Sequence, residues 1–128
     1  MTVDQTMKRI LVLMNTEEIA TPLCAELEGL GYYATWVECV EKARDAIGQY
    51  DAMIFSGSVA ETDGGSIKHN AGWKYATELL RERPELRLGF HSATRCVPPE
   101  YSHTSTQCDR IPLIDHGGLA EAVAKMLR

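Results

Sequence analysis

The chain has 128 residues, of which 45% are hydrophobic and 24% charged, and its formal net charge is −5 at pH 7. A chain of this length fits one domain that can bury a core without disulfides or metal. The acidic balance argues against nucleic acid or an anionic membrane as a general partner, since neutralising phosphate takes clustered Lys and Arg. No apolar run approaches the length of a membrane span, and the N-terminus does not read as a signal peptide. The four cysteines, Cys24, Cys39, Cys96 and Cys108, are irregularly spaced, as expected of reduced thiols in a cytoplasmic protein.

Residues 1–7 read as a disordered leader to a single domain over 8–128. Ile10 to Met14 is an unbroken apolar run, the mark of a strand buried on both faces. Asn15-Thr16 then supplies capping residues, Glu17-Glu18 suits a helix's positive end, and Ile19, Leu23, Leu27 and Leu30 continue one helical face. Pro22 is tolerated only near a helix start, so Thr21-Pro22 is an alternative beginning, and Gly29 and Gly31 close the helix. Tyr32 to Val37, rich in aromatic and β-branched residues, predicts a second strand, followed by a short amphipathic helix through Val40, Ala43, Ala46 and Ile47.

Ala52 to Phe55 is the second unbroken apolar run, a central strand that stops abruptly at Ser56-Gly57-Ser58. Residues 56–71 read as a long loop with a turn at Thr62-Asp63-Gly64-Gly65. A helix through Trp73, Ala76, Leu79 and Leu80 must end before Pro84. Leu86 to Phe90 predicts a fourth strand reaching His91-Ser92-Ala93. Pro98-Pro99 and the polar run beyond them leave the next helix short or replaced by loop. Ile111 to Ile114 predicts a fifth strand whose Pro112 favours a sheet edge, and Leu119, Ala122, Val123, Met126 and Leu127 mark a final helix. Strand and helix alternate five times, which predicts a three-layer, doubly wound, flavodoxin-like α/β fold around a parallel five-stranded sheet. Ligands and chemistry gather at the carboxyl edge of such sheets.

Across about residues 8–128 these stretches resemble the receiver domain of two-component response regulators. Lys8-Arg9-Ile10-Leu11-Val12-Leu13 looks like the first receiver strand, and Leu27-Glu28-Gly29-Leu30-Gly31-Tyr32 like the exit of the first helix. Tyr50-Asp51-Ala52-Met53-Ile54-Phe55 looks like the strand leading to the phosphoacceptor. Residues 79–88 resemble the third helix and fourth strand, ending in Ser92-Ala93. The resemblance implies a phosphoacceptor aspartate at the end of the third strand, acids after the first strand holding Mg²⁺, and a hydroxyl and a lysine after the fourth and fifth. Here those places fall on Ser56, on Met14 and Asn15, on Ser92, and near Asp115 or His116, and only Ser92 fits its role. The expectation is a pseudo-receiver that needs no cofactor and works through protein contacts. The pocket formed by Asn15, Ser56, Ser92, Asp115 and His116 would be a hydrogen-bonded remnant. The face of the fourth and fifth strands and last helix would meet a protein partner or a second copy, as receivers do.

Other patterns compete with this reading. His91, Cys96, His103 and Cys108 are borderline metal ligands, but without a close pair of the Cys-x₂-Cys kind a solvated polar loop is favoured over zinc. Ser56 with His91 or His116 as base lacks a nucleophile-elbow motif, so a turn-capping serine is the plainer reading. Ser58, Gly64, Gly65, Lys68 and His69 form an anion or ligand loop without a phosphate-binding motif. With the strand-end crevice they support the alternative of a flavodoxin-like small-molecule or nucleotide-binding protein or enzyme. A partial likeness to class I glutamine amidotransferases fails where their cysteine is replaced by His91-Ser92. Tyr32 and Trp36 are expected in the core, whereas Trp73 and Tyr101, beside the long loops, are expected at the surface.

Overall fold

A computed structural model describes residues 8–91, 111–114 and 118–127. The elements are β1 (Arg9–Leu13), α1 (Glu17–Gly29), β2 (Tyr33–Val37), α2 (Val40–Ala46) with a 3₁₀ turn over Ile47–Gln49, and β3 (Ala52–Ser56). Then come β4 (Val59–Ala60), β5 (Ile67–Lys68), α3 (Ala71–Glu82), β6 (Arg87–His91), β7 (Leu113–Ile114) and α4 (Leu119–Leu127). The main sheet has the order β2-β1-β3-β6-β7, and each neighbouring pair is parallel. That is the doubly wound five-stranded topology the alternation predicts.

Period-two alternation on the strands divides the core in two. Leu11, Leu13, Met53, Phe55, Leu88 and Phe90 pack against α2 and α3. Ile10, Val12, Ala52 and Ile54 pack against α1 and α4 through Leu23, Leu27, Val123 and Met126. The unbroken apolar runs of β1 and β3 are thus a consequence of burial on both faces. Tyr32 and Trp36 do pack on the second cluster with Ala34.

Three local features depart from the sequence reading. Helix α1 begins at Glu17 and carries Pro22 inside it, with Thr16 as N-cap making no side-chain cap bond. Its end follows expectation: Gly31 takes φ 96°, while Gly31 and Tyr32 donate to the carbonyls of Glu28 and Leu27. The 56–71 segment is not a plain loop, because Val59↔Lys68 and Ala60↔Ile67 form a small antiparallel ladder. Trp73 is fully buried rather than superficial, its ring 5.0 Å from that of Phe55 and 4.7 Å from that of Phe90. A tryptophan beside a loop reads as exposed only while the loop is assumed to leave it uncovered. The expected leader over 1–7, the short or missing helix after His91, and Tyr101 all lie outside the described residues.

Candidate functional site

The carboxyl edge of the sheet is set by β3. Its last residue, Ser56, pairs with His91 of β6. One step beyond the β1–β3 pair Leu13↔Phe55, Met14 comes beside Ser56. Alternation puts Met14, Ser56 and His91 on the α1/α4 side, continuing the rows of Val12, Ile54 and Gly89. Met14 is 1% exposed, its N–H donates to the Val37 carbonyl at 3.2 Å, and its carbonyl accepts from Trp36 Nε1 at 2.9 Å. The side chain nearest Ser56 on the β1 flank is therefore a buried thioether.

Helix α3 wedges this strand end. Gly72 N–H donates to the Gly57 carbonyl at 2.9 Å, and a Cβ built on Gly72 would stand 1.9 Å from the Ser56 carbonyl oxygen. Only glycine allows the helix's first turn to sit so close to the strand backbone. Asn70 enters the helix in the left-handed conformation, φ 62°, which asparagine tolerates better than most residues. The Ser56 backbone is consequently fixed from the α3 side, where Phe55, Trp73 and Phe90 pack ring against ring, while its side chain points to the other face of the sheet.

The β4–β5 hairpin folds back over the neighbouring loops. Ala60 bridges Cys39, Glu41 N–H donates to the Glu61 carbonyl at 2.9 Å, and Asp63 N–H donates to Glu41 Oε1 at 3.2 Å. Lys42 reaches Glu38 at 2.7 Å and Asp63 at 3.4 Å, and the hydrogen bond to Glu38 raises its pKa above the ordinary lysine value. Between hairpin and loops lies a cleft of about 210 Å³ lined by Asn15, Glu38, Cys39, Thr62, Gly64 and Gly65, among others. Gly64 uses φ 76° to make the turn that the Thr62-Asp63-Gly64-Gly65 pattern predicts, and Gly65 N–H donates to the Thr62 carbonyl.

The structure thus brings Asn15 together with Gly64 and Gly65, and Ser56 together with His91. Lys68 and His69 are exposed and do not line the cleft, and Ser58 is half-buried. Ser92, Asp115 and His116, and the zinc candidates Cys96, His103 and Cys108, lie outside the described residues. Among the described residues no three His, Cys, Asp or Glu side chains gather as metal ligands. Sequence reasoning missed Glu38 and Thr62 on the cleft. The hairpin that places Thr62 there has strands of two residues each, too short for periodicity to register.

No protein-family model matches the sequence, and none of the curated proteins matches it. The fold does match solved structures. The response regulator TrrA from Thermotoga maritima, solved with Mg²⁺ and beryllium fluoride, is 26% identical with a TM-score of 0.68, covering 94% of this chain and 100% of that one. A complex of the histidine kinase ThkA with TrrA gives 26% identity and a TM-score of 0.69 over 95% of this chain and 100% of that one. The chemotaxis response regulator CheY4 of Vibrio cholerae is 13% identical with a TM-score of 0.67, covering 95% and 97%. The structural neighbours are response-regulator receiver domains, and the chain has their fold.

Proposed function

We propose that this chain is a receiver-type regulatory module that has lost phosphotransfer and works through protein contact. The observation that carries the reading is the pairing at the sheet's carboxyl edge, where Ser56 ends β3 and buried Met14 stands beside it. A serine does not form the acyl phosphate that an aspartate does. Mg²⁺ asks for hard, preferably anionic oxygen ligands. A thioether, the Asn15 amide and the Ser56 hydroxyl are a poor set for it, so no step of the proposed function runs through a bound metal.

A protein partner is the natural counterpart of such a module, and TrrA, which shares the fold, is solved in complex with a histidine kinase. The face proposed for the partner, or for a second copy, comprises β6, β7 and α4. Asn15, Ser56, Ser92, Asp115 and His116 would act as a polar remnant, within a cytoplasmic single domain over 8–128. Among the described residues no helix is long and apolar enough to cross a membrane. Isothermal titration with Mg²⁺ tests the reading: it predicts no heat beyond dilution, and a saturable isotherm abolished by Ser56→Ala would end it.

The cleft beneath the hairpin favours a second reading, a small-ligand binding protein. Its lining offers a carboxylate, an amide and a hydroxyl, which suits a neutral or cationic polar ligand better than an anion. Native mass spectrometry of the freshly purified chain separates the two readings, since a bound small molecule lost on Gly64→Val would favour this one.

A further inference from the structure

Among the described residues no strand pairs with the opposite edge of the sheet, formed by β2. Tyr33 N–H donates to the Lys8 carbonyl at 2.9 Å, and the Val37 carbonyl accepts from Met14 N–H. Alternate residues of a strand point their backbone groups to the same side, so Tyr33, Thr35 and Val37 face β1. Ala34 and Trp36 therefore present N–H and C=O outward, and no described strand pairs with that edge. Proteins ordinarily blunt such an edge with proline, lysine or a bulge. The segment Tyr-Ala-Thr-Trp-Val has none of these and, Ala34 apart, is made of strong strand formers. Beside it, Thr21, Cys24, Ala25 and Glu28 of α1 with Ala34 and Trp36 bound an open groove of about 480 Å³. Burial, reinforced by the Glu28 carboxylate, pushes the Cys24 thiol above its ordinary pKa, so this lining stays uncharged at that position.

We propose that the β2 edge is a self-association surface on which a second copy of this chain pairs its own β2, antiparallel, about a two-fold axis. Charge selects this occupant. Lys8 and Arg9, at the start of β1, lie beside the start of β2, with Arg9 over the Tyr33 ring at 5.0 Å and Asp51 on its N–H. Glu38 follows the end of β2 and shares Lys42 with Asp63. The two cations thus outnumber the acid at the first end, and the two acids outnumber the cation at the second. A two-fold rotation sets the basic end of one edge against the acidic end of the other, whereas parallel pairing would set like against like. The register follows from the outward groups. Ala34 opposite the second copy's Trp36 makes each such pair exchange both hydrogen bonds, and Thr35 meets Thr35 on the axis. That register also faces a small side chain with a large one. Thr–Thr is a favourable cross-strand pair, and its axial position makes the interface uniquely sensitive to charge there. The surface lies on the sheet edge away from β6 and β7 and does not depend on the loss of phosphotransfer.

Sedimentation velocity of the full chain over a concentration series tests this. Wild type is expected to dimerise reversibly with a Kd tighter than about 1 mM. Thr35→Lys and Thr35→Glu, each placing like charges face to face, are each expected to weaken association by about a hundredfold. An equimolar mixture of the two is expected to dimerise again, a rescue that misfolding cannot produce. A monomeric wild type throughout the series overturns the proposal, as an edge kept for a peptide of another protein would give. So does a dimer indifferent to both substitutions, which would place the contact at β6, β7 and α4, or a mixture that stays monomeric.

Discussion

Replacing Gly72 with alanine attacks the contact that fixes the end of the central strand. The added Cβ would lie 1.9 Å from the Ser56 carbonyl oxygen, 3.0 Å from its carbon and 3.3 Å from the Gly57 carbonyl oxygen. A carbon–oxygen contact relaxes at about 3.3 Å, so helix and strand must part by well over an ångström. No rotamer can absorb this, because both sides are backbone. Overpacking of this kind costs about 1–3 kcal/mol. The same movement stretches the 2.9 Å bond from Gly72 N–H to the Gly57 carbonyl, and losing a buried bond adds about 1–3 kcal/mol. A loss of about 3 kcal/mol or more is therefore expected, a large part of a typical domain's 5–15 kcal/mol or so. Urea unfolding followed by circular dichroism should show a midpoint lower by at least about 1 M. Gly48→Ala is the control: nothing lies within 4 Å of its added Cβ, so stability should hold or rise by about 0.5 kcal/mol. If Gly72→Ala unfolds with the control, the wedge of α3 against β3 is not as described.

Three further outcomes follow from particular groups. Tyr75 is buried, its hydroxyl has no hydrogen-bond partner among the described residues, and burial raises its pKa from 10.0 to about 12. The folded state then holds a proton that the unfolded state releases, so this contribution is intact below about pH 10 and fades as pH rises toward 12. Tyr75→Phe should match or exceed wild-type stability at neutral pH and unfold with a shallower alkaline slope; equal slopes in alkaline melts would remove the assignment. Trp36→Phe deletes the 2.9 Å bond from Nε1 to the Met14 carbonyl, so a loss of about 1–2 kcal/mol is expected in chemical unfolding, and an unchanged midpoint would discount that bond. Gly89→Ala places a Cβ within 2.8 Å of Ile114 and the Met126 sulfur; since these are side-chain atoms that can shift, thermal melts should show a smaller loss than Gly72→Ala does.

The fold was legible in this sequence because burial on both faces leaves an unmistakable trace. Ile10 to Met14 and Ala52 to Phe55 need no alternation to be read as strands, and the stretch between them holds one helix for each face, α1 and α2. Pro112 announced an edge strand, and β7 is one. The strand-end site was legible only in part. Which residue ends β3 follows from where the apolar run stops, but that Met14 is its neighbour is a matter of register, which depends on pairing between distant segments. The hairpin over 59–68 escaped notice because its strands are held by the segment after β2 rather than by their own pattern. Gly72 also escaped notice, since a glycine near a helix start carries no local sign of what its missing side chain must avoid.

The account rests on the claim that the end of β3 accepts no phosphoryl group. Incubation of the chain with acetyl phosphate and Mg²⁺, followed by intact mass spectrometry, addresses it in one step. The account predicts an unchanged mass under conditions in which a phosphorylatable receiver run alongside is modified. The appearance of a single added phosphoryl group, lost on Ser56→Ala, would contradict it.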